Sequence, residues 1–112
     1  MTSTTYRLEN ATPYSLLFQA FTNPARVQIL QALRDNESMN VTEIGEETGL
    51  EQTSLSHNLR CLAFCGLVTA KREGKSRVYS LNKATVPPML EIARNHVRRY
   101  ASNLLSCDAL ER

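Results

Sequence analysis

Three cysteines carry the clearest chemistry in this chain of 112 residues. Cys61 and Cys65 are four residues apart, so on a helix their side chains lie on the same face, one turn apart. Two sulfurs stacked in this way are badly aimed for a disulfide with each other, but both can reach one metal ion. Cys107 lies among polar residues near the end of the sequence, where a role in a buried core is least natural.

The residues alone leave three interpretations of the thiols open. An odd count of three is far below the density of a disulfide-stapled secreted domain, so we expect free thiols in a reducing compartment. The thiols could bind a soft metal or metalloid, or they could sense oxidation through a disulfide or persulfide that joins Cys107 to one of the other two. Alternatively, Cys61 and Cys65 are ordinary packing residues.

A second group of residues is suited to contact with nucleic acid. Leu55, Leu59 and Leu62 mark the inner face of a helix that is predicted from about Gln52 to Phe64. The polar side chains in the first part of this helix are short or planar hydrogen-bonding groups that suit base edges and phosphates. The candidate DNA contacts on this helix are Gln52, Thr53, Ser54, Ser56, His57 and Arg60.

The net charge of +2 conceals a strong separation of charge along the chain. Residues 35–51 include six acids and no base, whereas residues 60–83 include six bases and one acid. A protein that presents one face to a polyanion is expected to separate its charges in this way. Four of the bases lie in a predicted hairpin and would neutralise phosphates: Lys71, Arg72, Lys75 and Arg77.

Caps and hydrophobic periodicity predict the helices that must position these residues. Asn23-Pro24 starts one helix, with the asparagine as N-cap and the proline as the first helical residue. Asn40 and Glu43 have the capping-box spacing, and the helix that they start ends at Gly49. Because only two residues separate this helix from the leucine-bearing one, the pair forms a helix-turn-helix.

The periodicity then changes to that of strands. Residues 67–70 and 77–81 are β-prone runs, and residues 72–76 form a hairpin connection that contains glycine. A last long helix begins at Pro87-Pro88 and carries an apolar stripe of Leu90, Ala93, Val97, Ala101 and Leu104. The predicted fold class is therefore mainly α (α+β), a winged helix-turn-helix with a two-stranded β-hairpin wing.

The length predicts one domain that is only marginally stable alone, so a dimer is expected. Residues 1–12 have no periodicity and are predicted to be a flexible N-terminal tail. The winged-helix and dimerisation domain is predicted over residues 13–106, opening with a short apolar helix at Pro13. Residues 107–112 are predicted to form a C-terminal tail.

Two classes of protein are excluded by what the sequence lacks. No apolar run approaches the roughly 18 residues of a membrane helix, and the N-terminus lacks the apolar region of a secretory signal. We therefore expect a cytoplasmic protein without a membrane partner. We also expect no enzyme, because the sequence has no glycine-rich phosphate loop, no carboxylate pair suited to acid–base catalysis and no nucleophile with an evident base.

Four motifs follow one another along the chain: Asn-Pro-Ala-Arg-Val-Gln-Ile-Leu at 23–30, Leu-Ser-His-Asn-Leu-Arg-Cys-Leu at 55–62, Gly-Leu-Val at 66–68 and Glu-Gly-Lys-Ser-Arg-Val-Tyr at 73–79. Together they resemble the ArsR/SmtB family of metal-responsive repressors, over roughly residues 14–105. The resemblance implies a homodimer joined through the first and last helices. It also implies a repressor that releases double-stranded operator DNA when an inducer binds. The apolar stripe of the last helix agrees with such a dimer, because one small domain could not cover it fully.

Two sensing sites that are familiar in that family are missing here. Residues 41–46, where a thiolate box would lie, contain no cysteine, and His96 stands alone on the last helix. The Cys-x3-Cys of residues 61–65 with a third cysteine near the C-terminus is instead similar to the CmtR-type cadmium/lead sensors. In those proteins the metal is bound by two cysteines of the second helix of the helix-turn-helix, which reads DNA, and by one cysteine of the other subunit's C-terminal segment.

The resemblance to the CmtR-type sensors implies Cys61, Cys65 and Cys107 as the metal ligands. Three thiolates favour a soft ion such as Cd(II), Pb(II) or As(III) over hard cations. Two alternatives stay open, a thiol-redox repressor of the same fold and a winged-helix protein-interaction module. Whether Cys107 acts within its own subunit or across the dimer also stays open.

Overall fold

The computed structural model describes residues 11–110. Over these residues the chain forms five helices and three strands, in the order α1 (Ala11–Gln19), α2 (Pro24–Asn36), β1 (Ser38–Asn40), α3 (Val41–Thr48), α4 (Gln52–Phe64), β2 (Val68–Glu73), β3 (Ser76–Leu81) and α5 (Val86–Leu105). This architecture confirms the predicted α+β winged helix-turn-helix.

The ends of the predicted domain need small adjustments. Helix α1 begins at Ala11, two residues before the predicted start at Pro13. A proline is tolerated there because the first backbone N–H groups of a helix have no partner within the helix. The remainder of the predicted N-terminal tail, residues 1–10, and the last two residues of the predicted C-terminal tail lie outside the described residues.

Side-chain caps fix the two helices that lead into the helix-turn-helix. Asn23 accepts a hydrogen bond from the backbone N–H of Ala25 at 2.8 Å, with Pro24 as the first residue of α2. The predicted capping box of α3 is also present, since Asn40 Oδ1 accepts from the N–H of Glu43 and Glu43 Oε1 accepts from the N–H of Asn40, both at 2.8 Å. These caps satisfy donors that the helix itself leaves unpaired.

Two glycines allow the close approach of α3 and α4, one at the turn and one within α3. Gly49 closes α3 with φ of 74°, a left-handed conformation that favours glycine. Gly45 lies where α3 meets α4, and a Cβ added there would come within 3.2 Å of Leu55 Cδ1. The two helices can therefore pack closely, with the leucines of α4 directed into the core.

The hydrophobic core lies between α2, α3, α4 and the sheet. The leucine face of α4 is buried as predicted, and it packs with residues from the neighbouring elements into one cluster. The members that are almost completely buried are Ile29, Leu30, Leu33, Ile44, Leu55, Leu59, Leu62 and Val86. This packing fixes which side of α4 faces outward.

The sheet has three strands, because β1, which the sequence did not predict, extends the predicted two-stranded hairpin of β2 and β3. Strand β1 pairs antiparallel with β3, giving the order β1-β3-β2 and placing Met39 opposite Tyr79, both buried. The residues of β1, Ser-Met-Asn, have no β-prone run of their own. The strand forms because its partner, β3, lies about forty residues further along the chain.

The hairpin of the wing is longer than predicted. Its strands continue to the pair Glu73 and Ser76, so only Gly74 and Lys75 form the turn, and Gly74 has φ of 62°. Arg72 and Arg77, which the prediction placed in or beside the connection, therefore lie opposite each other within the ladder.

The last helix contacts the core only at its start. Val86 and Leu90 are buried, whereas Ala93 and Val97 of the predicted apolar stripe are exposed in the single chain. The backbone leaves the helical conformation once, at Tyr100. Within residues 11–110 we find no helix with the length and apolar character needed to cross a membrane.

Candidate nucleic-acid interface and cysteine pair

Helix α4 presents three faces with different surroundings. The leucine face is buried in the core. The opposite face, here called the reading face, is exposed and carries the polar side chains of Gln52, Thr53, Ser56, His57 and Arg60. A third face, here called the cysteine stripe, follows helical spacings of four, three and four residues: Ser54, Asn58, Cys61 and Cys65.

Ser54 does not lie with the reading face to which the sequence assigned it. The residue is partly buried, and its backbone carbonyl and its hydroxyl oxygen accept hydrogen bonds from Asn58 Nδ2 at 2.9 and 3.2 Å. The structure thus gives Ser54 a supporting contact inside the fold. The other five members of the predicted set remain free to reach a ligand outside.

Asn58 is a functional candidate that the sequence analysis missed. It is the buried polar residue of the described chain, at 4% exposure, and its Oδ1 accepts a hydrogen bond from Arg26 Nε at 3.1 Å. Arg26 also donates from Nη1 to the carbonyl of Gln19 at 3.4 Å. The only available signal was the position of Asn58 beside the leucine face, at a spacing of three from Leu55.

The wing brings several cations to one side of the molecule. Arg72 and Arg77 are paired across the two strands, and both are exposed along with Lys75 at the turn. Like charges directly opposite each other in a sheet are destabilising, so this arrangement favours a role in binding an anion over a role in stability. None of these three cations takes part in an ion pair with another residue of the range 11–110.

A groove joins the wing to α4. Arg60 and Phe64 of the helix line it from one side, and Arg77 and Tyr79 line it from the sheet. The groove therefore brings Arg60 of the reading face and Arg77 of the wing onto one continuous surface. This continuous surface can contact base edges through the helix and phosphates through the wing.

Cys61 and Cys65 lie next to each other at the end of α4. Cys61 is partly buried and Cys65 is exposed, and both are free thiols. Burial raises the pKa of the Cys65 thiol, and the charge and hydrogen bond of the neighbouring Cys61 raise the pKa further, while Arg26 acts in the opposite direction. The pair is accessible from solvent and is close enough to act on a single soft ion.

Cys107 is not brought to this pair within one chain. It is a partly buried free thiol that follows the end of α5. Over the described residues no three side chains of the His, Cys, Asp and Glu types come together as a metal site. His96, the other isolated candidate, stacks on the ring of Tyr100, with ring centroids 4.7 Å apart.

The chain is similar to a family of bacterial transcription factors and to several named members. Residues 23–70 match the family described as bacterial regulatory protein, arsR family. The HTH-type transcriptional regulator NmtR of Mycobacterium tuberculosis is 44% identical over 78 residues, which are 70% of this chain and 64% of NmtR. The chain thus spans just under two thirds of that relative's length.

Two further relatives have names that refer to metal resistance. A probable mercury resistance operon repressor of Streptomyces lividans is 35% identical over 90 residues, which are 80% of this chain and 71% of the relative. A cadmium resistance transcriptional regulatory protein CadC homolog of Staphylococcus aureus is 29% identical over 94 residues, 84% of this chain and 78% of the relative.

The fold is likewise shared with solved structures. The crystal structure of Rv0081 of M. tuberculosis superposes with a TM-score of 0.76 at 29% identity, covering 85% of this chain and 95% of that one. The solution structure of apo-NmtR superposes with a TM-score of 0.69 at 37% identity, covering 84% of this chain and 78% of that one.

The arginine pair of the wing gives a testable prediction. Arg72→Gln removes the repulsion from Arg77, so we expect the free energy of unfolding to rise by about 0.3 kcal/mol at low ionic strength. Chemical denaturation followed by circular dichroism measures this change, and the gain should vanish in about 1 M salt, where the charges are screened. Lys71→Gln is the matched control, because Lys71 lies opposite the uncharged Val78. Equal effects of the two variants would contradict the repulsion.

Proposed function

This chain belongs to the arsR family of bacterial regulatory proteins, and from that premise we propose that it is a repressor that leaves its operator when a soft metal ion binds its cysteines. It is a DNA-binding transcriptional regulator and not an enzyme. The observation that carries the proposal is the division of α4 into a solvent-facing polar face and a neighbouring stripe that ends in two adjacent thiols.

The reading face supplies the contacts that specify DNA sequence. With α4 in the major groove, Gln52, Thr53, Ser56, His57 and Arg60 reach base edges and nearby phosphates. Arg72, Lys75 and Arg77 of the wing neutralise phosphates of the flanking backbone, which adds affinity without sequence preference. Ser54 stays a predicted DNA contact, and its backbone carbonyl also accepts the hydrogen bond from Asn58.

A homodimer places two reading faces on one operator. Both α1 and α5 expose large apolar side chains in the single chain, which a second copy would cover: Tyr14, Leu16, Phe18, Ile92, Val97, Tyr100 and Leu105. A twofold dimer joined through these helices reads two half-sites that are about one helical turn of DNA apart.

Cys61 and Cys65 form the core of the proposed inducer site. The sulfur donors suit a thiophilic ion such as Cd(II), Pb(II) or As(III), and the mercury and cadmium resistance names of two relatives favour the same class of ion. The narrower likeness to CmtR-type sensors stays a prediction, since it rests on the cysteine spacing. When bound, such an ion would coordinate several thiolates at once and so cross-link the segments that carry them.

We assign the third sulfur to Cys107 of the second copy. Within the described chain the three cysteines do not assemble, which supports a three-thiolate site completed by the second copy. In the dimer the C-terminal segment of one subunit would then meet the end of α4 of the other. This contact couples the orientation of α4 to the presence of the inducer.

The coupling free energy between inducer binding and operator binding that release requires is modest. An inducer that prefers the released conformation by about 1–3 kcal/mol weakens operator binding by roughly 5- to 150-fold. Thiol-redox sensing is the second candidate, and the exposure of Cys65 is the feature that favours it. Metal binding is the better-supported function, because the names of two relatives refer to mercury and cadmium resistance.

The proposed division between helix and wing can be tested on an operator selected from a random DNA library. We expect His57→Ala to weaken operator binding by about 1–3 kcal/mol while leaving binding to a scrambled duplex unchanged, since a base contact is lost.

Lys75→Gln should weaken binding to both duplexes alike and lower the slope of log affinity against log salt by about 1, since a phosphate contact is lost. Lys83→Gln, outside the wing, is the control. The same loss on both duplexes for His57→Ala would remove it from the reading face.

The inducer site can be tested by titrating reduced protein with Cd(II). The wild type should develop an ultraviolet sulfur-to-metal absorption band and release operator DNA in a gel-shift assay. Cys107→Ser should reduce both the band and the release, because two thiolates remain of the three. Ser106→Ala, one residue away, should leave both unchanged. Identical behaviour of Cys107→Ser and the wild type would exclude Cys107 from the site.

A further inference from the structure

One hydrogen-bonded contact holds the cysteine stripe of α4 to the rest of the fold. Asn58 is buried, and both ends of its side-chain amide are engaged: Oδ1 accepts from Arg26 and Nδ2 donates to Ser54. A buried amide that loses its partner costs about 1–3 kcal/mol. The helix therefore has one favoured orientation in which this amide is satisfied, and another orientation needs a replacement partner.

Arg26 extends this contact to two other helices. It lies in the first turn of α2, and it donates through Nη1 to the carbonyl of Gln19, the last residue of α1. The guanidinium thus joins the end of α1, the start of α2 and the middle of α4. Because α1 is part of the proposed dimer surface, the same residue links that surface to the reading helix.

The position of the contact along α4 is also informative. Asn58 lies between Ser54 and the cysteines on one stripe. The Arg26–Asn58 hydrogen bond is therefore on the same stripe as the two thiols, and Asn58 lies about one turn before Cys61.

We propose that Arg26 and Asn58 are positioning residues, which hold α4 at the corner of α1 and α2 in the orientation that fits the operator. Neither residue contacts DNA, because Asn58 is buried and the guanidinium of Arg26 is directed to α1 and α4. In a second step, which rests on the proposed inducer site, metal binding at the cysteines breaks this hydrogen bond and lets α4 leave the operator-fitting orientation.

Arg26→Lys tests the positioning role with little change in charge. Lysine keeps the cation but lacks the planar group that donates to two acceptors in fixed directions. Arg34→Lys is the matched control, since Arg34 lies on the same helix and donates from Nε to its exposed neighbour Asp35 at the same distance of 3.1 Å. Affinities for operator and scrambled duplex are measured at one salt concentration, and the melting temperature is followed by circular dichroism.

We expect Arg26→Lys to lower the ratio of operator affinity to scrambled-duplex affinity by about tenfold, as for the loss of one charge-assisted hydrogen bond. The affinity for scrambled DNA should stay unchanged, because no phosphate contact is lost. A purely structural role would lower the melting temperature while leaving this ratio equal to that of Arg34→Lys, and that result would overturn the proposal. Asn58→Ala removes the acceptor from the other side of the contact, so it should lower the same ratio, and it replaces Arg26→Lys if that variant does not fold.

Measurements with and without Cd(II) distinguish the positioning role of Arg26 and Asn58 from the proposed inducer site. In Arg26→Lys the sulfur-to-metal band should match the wild type, while the further loss of operator affinity on adding Cd(II) should be smaller, because the contact is already weakened. An unchanged loss would overturn the second step. If the wild type itself ignores Cd(II), the proposed inducer fails, yet the ratio measured without metal still decides the role of Arg26 and Asn58.

Discussion

The burial of the leucine face of α4 constrains everything else that this helix can do. Leu55, Leu59 and Leu62 are packed among residues of α2, α3 and the sheet, so the rotation of α4 about its own axis is fixed. With that rotation set, the reading face must point outward and the cysteine stripe must lie at the edge of the core. DNA recognition and inducer sensing can therefore share one helix of 13 residues without sharing a surface.

Because both functions are proposed for one helix, the orientation of α4 is the property that DNA and the inducer would both control. DNA favours the orientation in which the reading face and the arginines of the wing follow one groove and its flanking backbone. In the proposed function, an ion held by one subunit's Cys61 and Cys65 and by Cys107 of the second copy would tie the end of the same helix to the dimer partner. Since packed cores move between discrete arrangements, a small displacement at the thiols would, on this proposal, disfavour DNA binding. The hydrogen bond between Arg26 and Asn58 is the contact that we propose to stabilise the orientation that fits DNA and to be broken when the inducer binds.

Local signals predicted most of the architecture. Asn40, Glu43 and Gly49 determined the bounds of α3, because caps act between residues close in sequence. Strand β1 was not predicted, since its three residues become a strand only through pairing with β3. The role of Asn58 was missed for the same reason, because its partner Arg26 is 32 residues away and belongs to another helix. The sequence placed Cys61 and Cys65 together through their helical spacing, but no local pattern could tell where Cys107 lies.

Mixed dimers test the central claim, that the inducer joins α4 of one subunit to the C-terminal segment of the other. Chains with Cys107→Ser and chains with both Cys61→Ser and Cys65→Ser carry different affinity tags, so that dimers with one chain of each kind can be purified. Each such dimer contains one complete set of three cysteines only if the set is shared between subunits. We predict that the mixed dimer has a stronger cadmium–sulfur absorption band than either parent and releases operator DNA more completely with Cd(II). A mixed dimer that behaves no better than its parents would contradict the account.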